Sequence, residues 1–511
     1  MEGTIFAKVL SAVPEGIAGR PVEVEVDMAG GLPHFSIVGL PGGAVREAKD
    51  RVRAAIRHAG FALPDRRFTV NLAPAQVRKE GAALDLPIAF ALLVATGAIP
   101  PEASTGLMIA GELALDGRVK SIHGALPIAL AARRASVRRL IVPTENTAEA
   151  ALGHEGEVVG VADLAELVGL ATGRLEVRPE RVDAAALLAA GRDEAALDFA
   201  DVRGQESAKR ALEVAAAGGH AVLLVGPPGA GKTMLARRVP GILPDPTLEE
   251  ALETTAIHSI AGLLGGRALL AARPFRAPHH STSAAALVGG GRPIRPGEVT
   301  LAHRGVLFLD ELPEFSIRVL ESLRQPLEER AVQVSRAAST ETYPADALVL
   351  AAMNPCPCGY AGDPTRACSC PPGAADRYRR RISGPLLDRF DLHVPVPAVP
   401  WAELFAPAEA EPSRRIAERV RAARARQAMR FGSPASLNTQ MSAAEIDRHC
   451  ALEGEANDLL RRAATRLALS ARACGRVLKV ARTIADLAAS DRLRLSDVAE
   501  ALQYRPDANG A

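Results

Sequence analysis

At 511 residues the chain is too long for one core, and length alone suggests about three domains. Hydrophobic residues make up 48%, which excludes a disordered chain, and a net charge of +2 gives no global signal for nucleic acid, so any basic surface is local. Six cysteines, with no basic and apolar leader after Met1-Glu2-Gly3, argue for metal or free thiols rather than disulfides, and for a cytoplasmic protein. The longest apolar run, Leu86 to Ile99, contains Pro87 and is too short to span a bilayer, so a buried helix is expected there and no membrane partner.

Residues 1–170 read as an α/β domain. Val22, Val24 and Val26 alternate with Glu23, Glu25 and Asp27, the pattern of a half-buried strand. Val45, Ala48, Val52, Ala55, Ile56 and Ala59 fall on one helical stripe. Strand-like runs follow at Phe68–Leu72 and Met108–Leu113, then a turn at Asp116-Gly117 and a helix from Ala125. Two segments here resemble the peptidase domain of Lon-type proteases: Lys79-Glu80-Gly81-Ala82-Ala83, and Gly111-Glu112-Leu113 through Ile122-His123-Gly124-Ala125-Leu126-Pro127. The resemblance implies a Lon-peptidase-like (ribosomal S5 domain 2-like) fold. Ala83 stands where that family has its nucleophilic serine and Pro127 where it has its lysine, and neither side chain can transfer a proton. A peptidase fold without peptidase chemistry is expected.

Residues 171–195 are charged and Ala-rich, and read as a partly helical linker. A second α/β unit spans 196–400. Its apolar run Ala221–Val225 leads into Gly226-Pro227-Pro228-Gly229-Ala230-Gly231-Lys232-Thr233, and a helical pattern follows. Gly-x4-Gly-Lys-Thr between strand and helix is a phosphate-binding loop. Its glycines let several N–H groups face one anion, Lys232 would reach the outer phosphates, and the Thr233 hydroxyl would sit on Mg²⁺. About 80 residues on, Val306-Leu307-Phe308-Leu309 ends in Asp310-Glu311, where Asp310 would hold Mg²⁺ and Glu311 would polarise the attacking water. A third strand, Ala347–Met353, ends in Asn354, which either senses the γ-phosphate or occupies the turn before Pro355. The expected substrate is ATP with Mg²⁺.

These elements, with Leu386-Leu387-Asp388-Arg389-Phe390-Asp391-Leu392, resemble AAA+ ATPases of the magnesium-chelatase/MCM-like branch. Phe275–Ser283, Pro296–His303, Met353–Gly359 and Val480–Leu487 carry a closer resemblance, to the ComM/YifB family, which also has the Lon-like first domain. That resemblance covers nearly the whole chain. It implies an ATP-driven hexameric helicase that promotes branch migration during natural transformation and homologous recombination. The partners implied are single-stranded and branched DNA and further copies of the chain. It makes Arg389 an arginine finger acting on the neighbouring subunit's γ-phosphate, the alternative being an ion pair with Asp388 or Asp391. It makes Arg472 the second γ-phosphate sensor, with Arg476 a rival four residues away.

Cys356-x-Cys358 and Cys368-x-Cys370 are two pairs that would close a tetrahedral Zn²⁺ site, or else are reduced thiols in an irregular loop. Val332-Gln333-Val334 and Glu341-Thr342-Tyr343 read as a hairpin, and the resemblance sends it into the ring channel. Arg336 near its turn then becomes a candidate for DNA phosphate, with Arg377–Arg381 a second basic candidate. Residues 401–511 read as a helical lid, with Ser442-x-x-Glu445 as a capping box and Arg421, Arg424 and Arg426 on solvent or a subunit interface. The rival functions are a magnesium-chelatase motor subunit acting on a protein partner, an ATP-dependent protease and a nucleotide-gated scaffold.

Overall fold

The computed structural model describes residues 5–191, 197–291, 294–336, 339–364, 366–400 and 411–505. Side-chain alternation builds the first sheet. Strands β1 (Ile5–Glu15) and β2 (Ala18–Ala29) pair antiparallel with Val9 opposite Val24, and Val22, Val24 and Val26 are buried. β3 (His34–Val38), β4 (Arg67–Ala73), β5 (Leu107–Ile109), β8 (Arg139–Pro143) and β9 (Glu157–Val161) complete seven strands in the order β3-β4-β2-β1-β5-β8-β9. The helix Gly43–His58 buries Val45, Ala48, Val52, Ala55 and Ile56, the stripe expected from their spacing. The apolar run forms the helix Asp85–Ala95, buried at every position.

One expectation fails here. Met108–Leu113 is not a single strand: the chain leaves β5 and makes a separate two-stranded sheet from β6 (Glu112–Leu113) and β7 (Val119–Lys120). Gly111 is the cause. Its N–H turns to the Ala83 carbonyl (2.8 Å), and a Cβ there would come within 2.8 Å of Leu86 Cδ2, so this close approach diverts the chain. Ala83 lies in an apolar cluster with Ile122, Ala125 and Ile128, and Pro127 is buried in the helix Ala125–Arg134. Alkyl groups fill both positions where the Lon-type resemblance has its serine and lysine.

The second sheet is parallel throughout. Its strands are β10 (Val222–Val225), β11 (Phe275–Arg276), β14 (Val306–Leu309), β17 (Leu348–Met353) and β18 (Leu392–Pro395), in the order β11-β14-β17-β10-β18. β14 and β17 are buried along their whole length, as continuous apolar runs require. Small antiparallel pairs, β12 (Gly289–Gly290) with β13 (Arg295–Pro296) and β15 (Ala331–Arg336) with β16 (Ser339–Pro344), branch from it. The hairpin register sets Val332 opposite Tyr343 and Val334 opposite Glu341.

Helices Ser413–Phe431, Ala443–His449, Gly454–Arg466, Ala471–Leu487 and Leu495–Gln503 follow. Ser442 and Glu445 form the capping box read from their spacing. Val420, Val477, Val480, Ile484 and Val498 join Val222, Leu224, Leu392 and Val394 in one core, so helices and sheet share their interior. The basic face read at Arg421, Arg424 and Arg426 needs correction. Arg421 is exposed, but Arg426 pairs with Asp491 and Arg424 turns inward, donating to the Ala216 carbonyl at 2.9 and 2.7 Å. The first domain rests on the second through Ser259, on the helix Leu248–Ala261. Its hydroxyl accepts from the Gly124 N–H (2.9 Å) and donates to buried Glu149. The Gly16 N–H also donates to Glu341 of the hairpin.

Candidate functional site

The parallel strands end together, and three of them deliver polar groups to one edge. The phosphate loop follows Val225 of β10, Asp310 and Glu311 follow Leu309 of β14, and Asn354 follows Met353 of β17. β17 lies between the other two, with Val225 opposite Met353 and Leu309 opposite Ala351. Crevices outside the carboxyl ends of such strands are where open α/β sheets bind ligands.

The loop runs from Gly226 through Pro227, Pro228, Gly229 and Ala230 to Gly231, and the helix Lys232–Arg238 begins at Lys232. Gly229 and Gly231 sit at φ +79° and +89°, a backbone that side chains resist and that turns successive N–H groups inward. Lys232 is 8% exposed; its Nζ donates to the carbonyls of Gly226 (2.6 Å) and Pro227 (2.9 Å) and to Asn354 Oδ1 (3.1 Å). Burial pulls the Lys232 ammonium below its ordinary range, while Asp310 and Glu311 pull it back up. Thr233 Oγ1 donates to Asp310 Oδ2 at 2.6 Å, and Asp310 Oδ1 accepts the Glu311 N–H at 2.9 Å. A hydroxyl and a carboxylate side by side, beside a phosphate loop, fit the hard oxygen ligands that Mg²⁺ takes. Glu311 has φ +52°, an uncommon backbone for this residue, and its Oε2 lies 3.1 Å from His280 Nδ1.

Two residues gain a role that the motifs containing them did not reveal: the resemblance put His280 near the central pore, and Gln205 only marked the start of the ATPase unit. His280 stands 31 positions before Glu311 and meets it only because β11 and β14 are sheet neighbours. Gln205 is buried, and its Nε2 braces the loop by donating to the Ala230 (3.1 Å) and Pro397 (2.6 Å) carbonyls. The Gly-Gln step before the helix Glu206–Gly218 is the trace it leaves in sequence.

Arg389 stands at the opposite edge. It comes three residues before Leu392, which pairs with Val222 at the start of β10. Four residues of strand span ~13 Å, so Arg389 and its own phosphate loop lie at opposite ends of the sheet. Its side chain is 11% exposed, with Nη2 2.6 Å from Glu328 Oε1 and Nη1 donating to the Pro385 carbonyl. Asp391 instead takes His220 and Thr439, and Asp388 lies 3.5 Å from Arg476. Arg472 is 65% exposed and also reaches Glu328 Oε1, at 2.6 Å. It therefore shares Arg389's edge of the molecule, while Arg476 is the more buried of the two lid candidates.

The four cysteine thiols converge, all within 4.8 Å of one another. Sγ of Cys356 lies 3.4 Å from Cys358 and 3.7 Å from Cys368, and Cys358 and Cys368 are 3.5 Å apart. The Cys358 N–H donates to Cys370 Sγ and the Ala361 N–H to Cys356 Sγ. A tetrahedral Zn²⁺ with ~2.3 Å bonds has sulfurs ~3.8 Å apart, so the set fits that ion. The Tyr360 N–H first, and then the neighbouring thiols, draw the Cys358 thiol down, while sharing of protons with it holds Cys368 and Cys370 up, so one thiolate stands among thiols; the thiolate is the form that binds metal. This loop abuts the phosphate loop: Gly359 has φ +89°, and a Cβ there would collide with the Pro228 ring.

The side chain of Arg336 and residues 337–338 lie outside the described residues. In the second basic candidate Tyr378 is buried, Arg379 pairs with Asp376 and Arg381 with Glu314, which leaves Arg377 and Arg380 facing solvent. Among the described residues no helix is long and apolar enough to cross a membrane.

Residues 198–404 match the family described as magnesium chelatase, subunit ChlI. Residues 24–146 match the one described as subunit ChlI of Mg-chelatase, and residues 410–505 its C-terminal family. The chain is 44% identical over 494 residues to a protein of Salmonella typhimurium named uncharacterized protein YifB, covering 96% of this chain and 95% of that one. It is 43% identical over 504 residues to the competence protein ComM of Haemophilus influenzae, covering 98% and 97%. A magnesium-chelatase 67 kDa subunit of Chlorobaculum parvum is 30% identical over 163 residues, 31% of this chain and 23% of that one.

Proposed function

The chain belongs to the ComM/YifB family, with a magnesium-chelatase-like AAA+ module, and from that premise we propose an ATP-driven DNA translocase that works as a homohexameric ring. Its task is branch migration, on single-stranded and branched DNA, as foreign DNA is integrated during natural transformation or strands are exchanged in homologous recombination. The observation that carries this reading is the division of the charged groups between two edges of one sheet. Lys232, Thr233, Asp310, Glu311 and Asn354 face one way and Arg389 the other, so a complete site needs a second copy.

In that site Lys232 binds the outer phosphates and Asn354 holds the Lys232 ammonium in place. Glu311 takes the proton of the attacking water, kept on hold by His280. Thr233 and Asp310 would hold Mg²⁺, which neutralises charge on the phosphates when bound. Arg389, an always-charged planar fork, answers the charge that develops on the neighbour's γ-phosphate, and Arg472 joins it from the lid. The cysteine set would hold Zn²⁺ as a structural ion that fixes the loop behind Pro228. The hairpin β15–β16, with Arg336, would follow the DNA backbone. The boundaries fitting this division of labour are 1–170 for the Lon-like domain, 171–195 for the linker, 196–400 for the ATPase core and 401–511 for the lid.

The test is turnover and strand displacement by the purified protein on forked and three-stranded DNA. ATPase activity should rise several-fold with DNA, and one zinc per chain should appear in elemental analysis. No stimulation and no displacement would sink the translocase reading, and zinc-free protein with full activity would sink the zinc. A chelatase motor subunit, acting on a protein partner, has the family descriptions in its favour; chelation of Mg²⁺ into a porphyrin on adding partner subunits would establish it instead.

A further inference from the structure

Three separate elements converge on one carboxylate. Glu328 lies near the end of the helix Arg324–Glu329, and its Oε1 is 2.6 Å from Nη2 of Arg389 and 2.6 Å from Nη2 of Arg472. Arg389 follows the short helix Gly384–Leu387, and Arg472 begins the lid helix Ala471–Leu487. Both arginines hold the Glu328 carboxyl below the usual range, Arg472 first. Among the described residues the buried Nε of Arg389 has no partner, so Glu328 and the Pro385 carbonyl satisfy only part of that guanidinium.

Glu328 is also three positions before Ala331, where the hairpin begins. Arg330, at φ +53°, ends the helix; its carbonyl accepts the Ala345 N–H (2.8 Å), and its Nη1 bonds Asp346 (2.8 Å). The end of the helix and both feet of the β15–β16 hairpin are thereby tied together. Leu323, Val332, Val334 and Tyr343 pack in one cluster with Leu386 and Phe390, so the hairpin base and the Arg389 segment share an interior. A displacement of Arg389 has a direct route to the hairpin.

We propose that Glu328 is a positioning residue that couples the interface arginines to the hairpin: it holds Arg389 and Arg472 together and yields them to a neighbour's γ-phosphate, releasing the hairpin base to move. This rests on the reading of Arg389 as a group that serves the adjoining subunit. A phosphoryl group offers more charge and more acceptor oxygens to two forks than one carboxylate does. At 40% exposed, Glu328 can be solvated as it lets go, which keeps the exchange reversible.

The test is Glu328→Gln, which keeps the shape and removes the charge at a site open to water. Basal ATPase should rise about two- to fivefold, the scale set by a half-exposed ion pair. The ratio of DNA-stimulated to basal rate should fall toward one. Amides of 331–335 and 340–343 should exchange faster than in the unsubstituted protein before nucleotide is added, and change less after a non-hydrolysed ATP analogue is added. A variant with the unsubstituted stimulation ratio and hairpin exchange overturns the coupling, even where Arg389→Ala is inactive. Full turnover by Arg389→Ala overturns the underlying reading of the interface, and the coupling with it.

Discussion

Glu311 and Asp310 are adjacent carboxylates with different surroundings. Asp310 is occupied on both oxygens, by the Thr233 hydroxyl and the Glu311 N–H, whereas the half-exposed Glu311 carboxylate pairs, among the described residues, with His280 alone. That asymmetry suits Asp310 to an ion and Glu311 to a proton. Glu311→Gln should therefore lower turnover by about 10²–10⁴-fold, the usual worth of a positioned general base, and leave ATP binding intact. Single-turnover hydrolysis alongside nucleotide binding would check it, and unimpaired hydrolysis would remove Glu311 from the role. The motif residues were legible because loop, Asp-Glu and Asn each close an apolar run of strand length. His280 and Gln205 were not, because their partners are set by the pairing of β11 with β14 and by the bend of the chain over Ala230. Glu328 left no trace at all, since three remote segments meet on it.

Strand β18 is the element that joins sheet to lid. Its His393 N–H donates to the Tyr504 carbonyl (3.0 Å), and its Leu392 and Val394 sit in the core shared with Val477 and Val480. Burial, with Arg505 adding repulsion, pushes the His393 imidazole down to about 4 from an ordinary 6.5. The unfolded chain therefore binds the proton more readily than the folded one. Stability from this group is full above pH 6.5, falls as the pH drops, and levels off below about 4. By pH 5 the loss should reach about 2 kcal/mol, or about 4–8 °C in melting temperature for a unit of this size. His393→Gln, which keeps a donor for the Leu387 carbonyl, should flatten that dependence in thermal melts at pH 7 and pH 5. An unchanged slope would mean that other groups set the acid sensitivity. At this scale period and composition located the elements they named to within a few residues, but left β1, β3, β8, β9 and the helix Leu248–Ala261 unread. They missed the break at Gly111, because a close approach to Leu86 is tertiary, and the inward turn of Arg424, because a helical stripe of arginines does not say which one finds a carbonyl.

On the scale of the whole molecule, the proposed site, with Lys232 and Arg389 at the two ends of one sheet, makes a prediction that no single-chain enzyme shares. Lys232→Ala removes the phosphate lysine and leaves Arg389 in place; Arg389→Ala does the reverse. Each variant alone lacks one half of every site and should be inactive. In a mixed ring, a complete site forms wherever the loop of an Arg389→Ala copy meets the arginine of a Lys232→Ala copy. With random assembly of equal amounts around a cyclic ring, about one quarter of the interfaces are complete, which sets the ceiling on recovered turnover. Activity should also rise with protein concentration, since the site is a product of association. Mixing the two inactive proteins and measuring ATPase across a dilution series tests both statements together. Should the mixture stay inactive while the two variants still assemble together and the Arg389→Ala copy still binds ATP, Arg389 does not act across the interface. Should Arg389→Ala alone turn over at the unsubstituted rate, a copy completes its own site, and the opposite placement of Arg389 and Lys232 has another purpose.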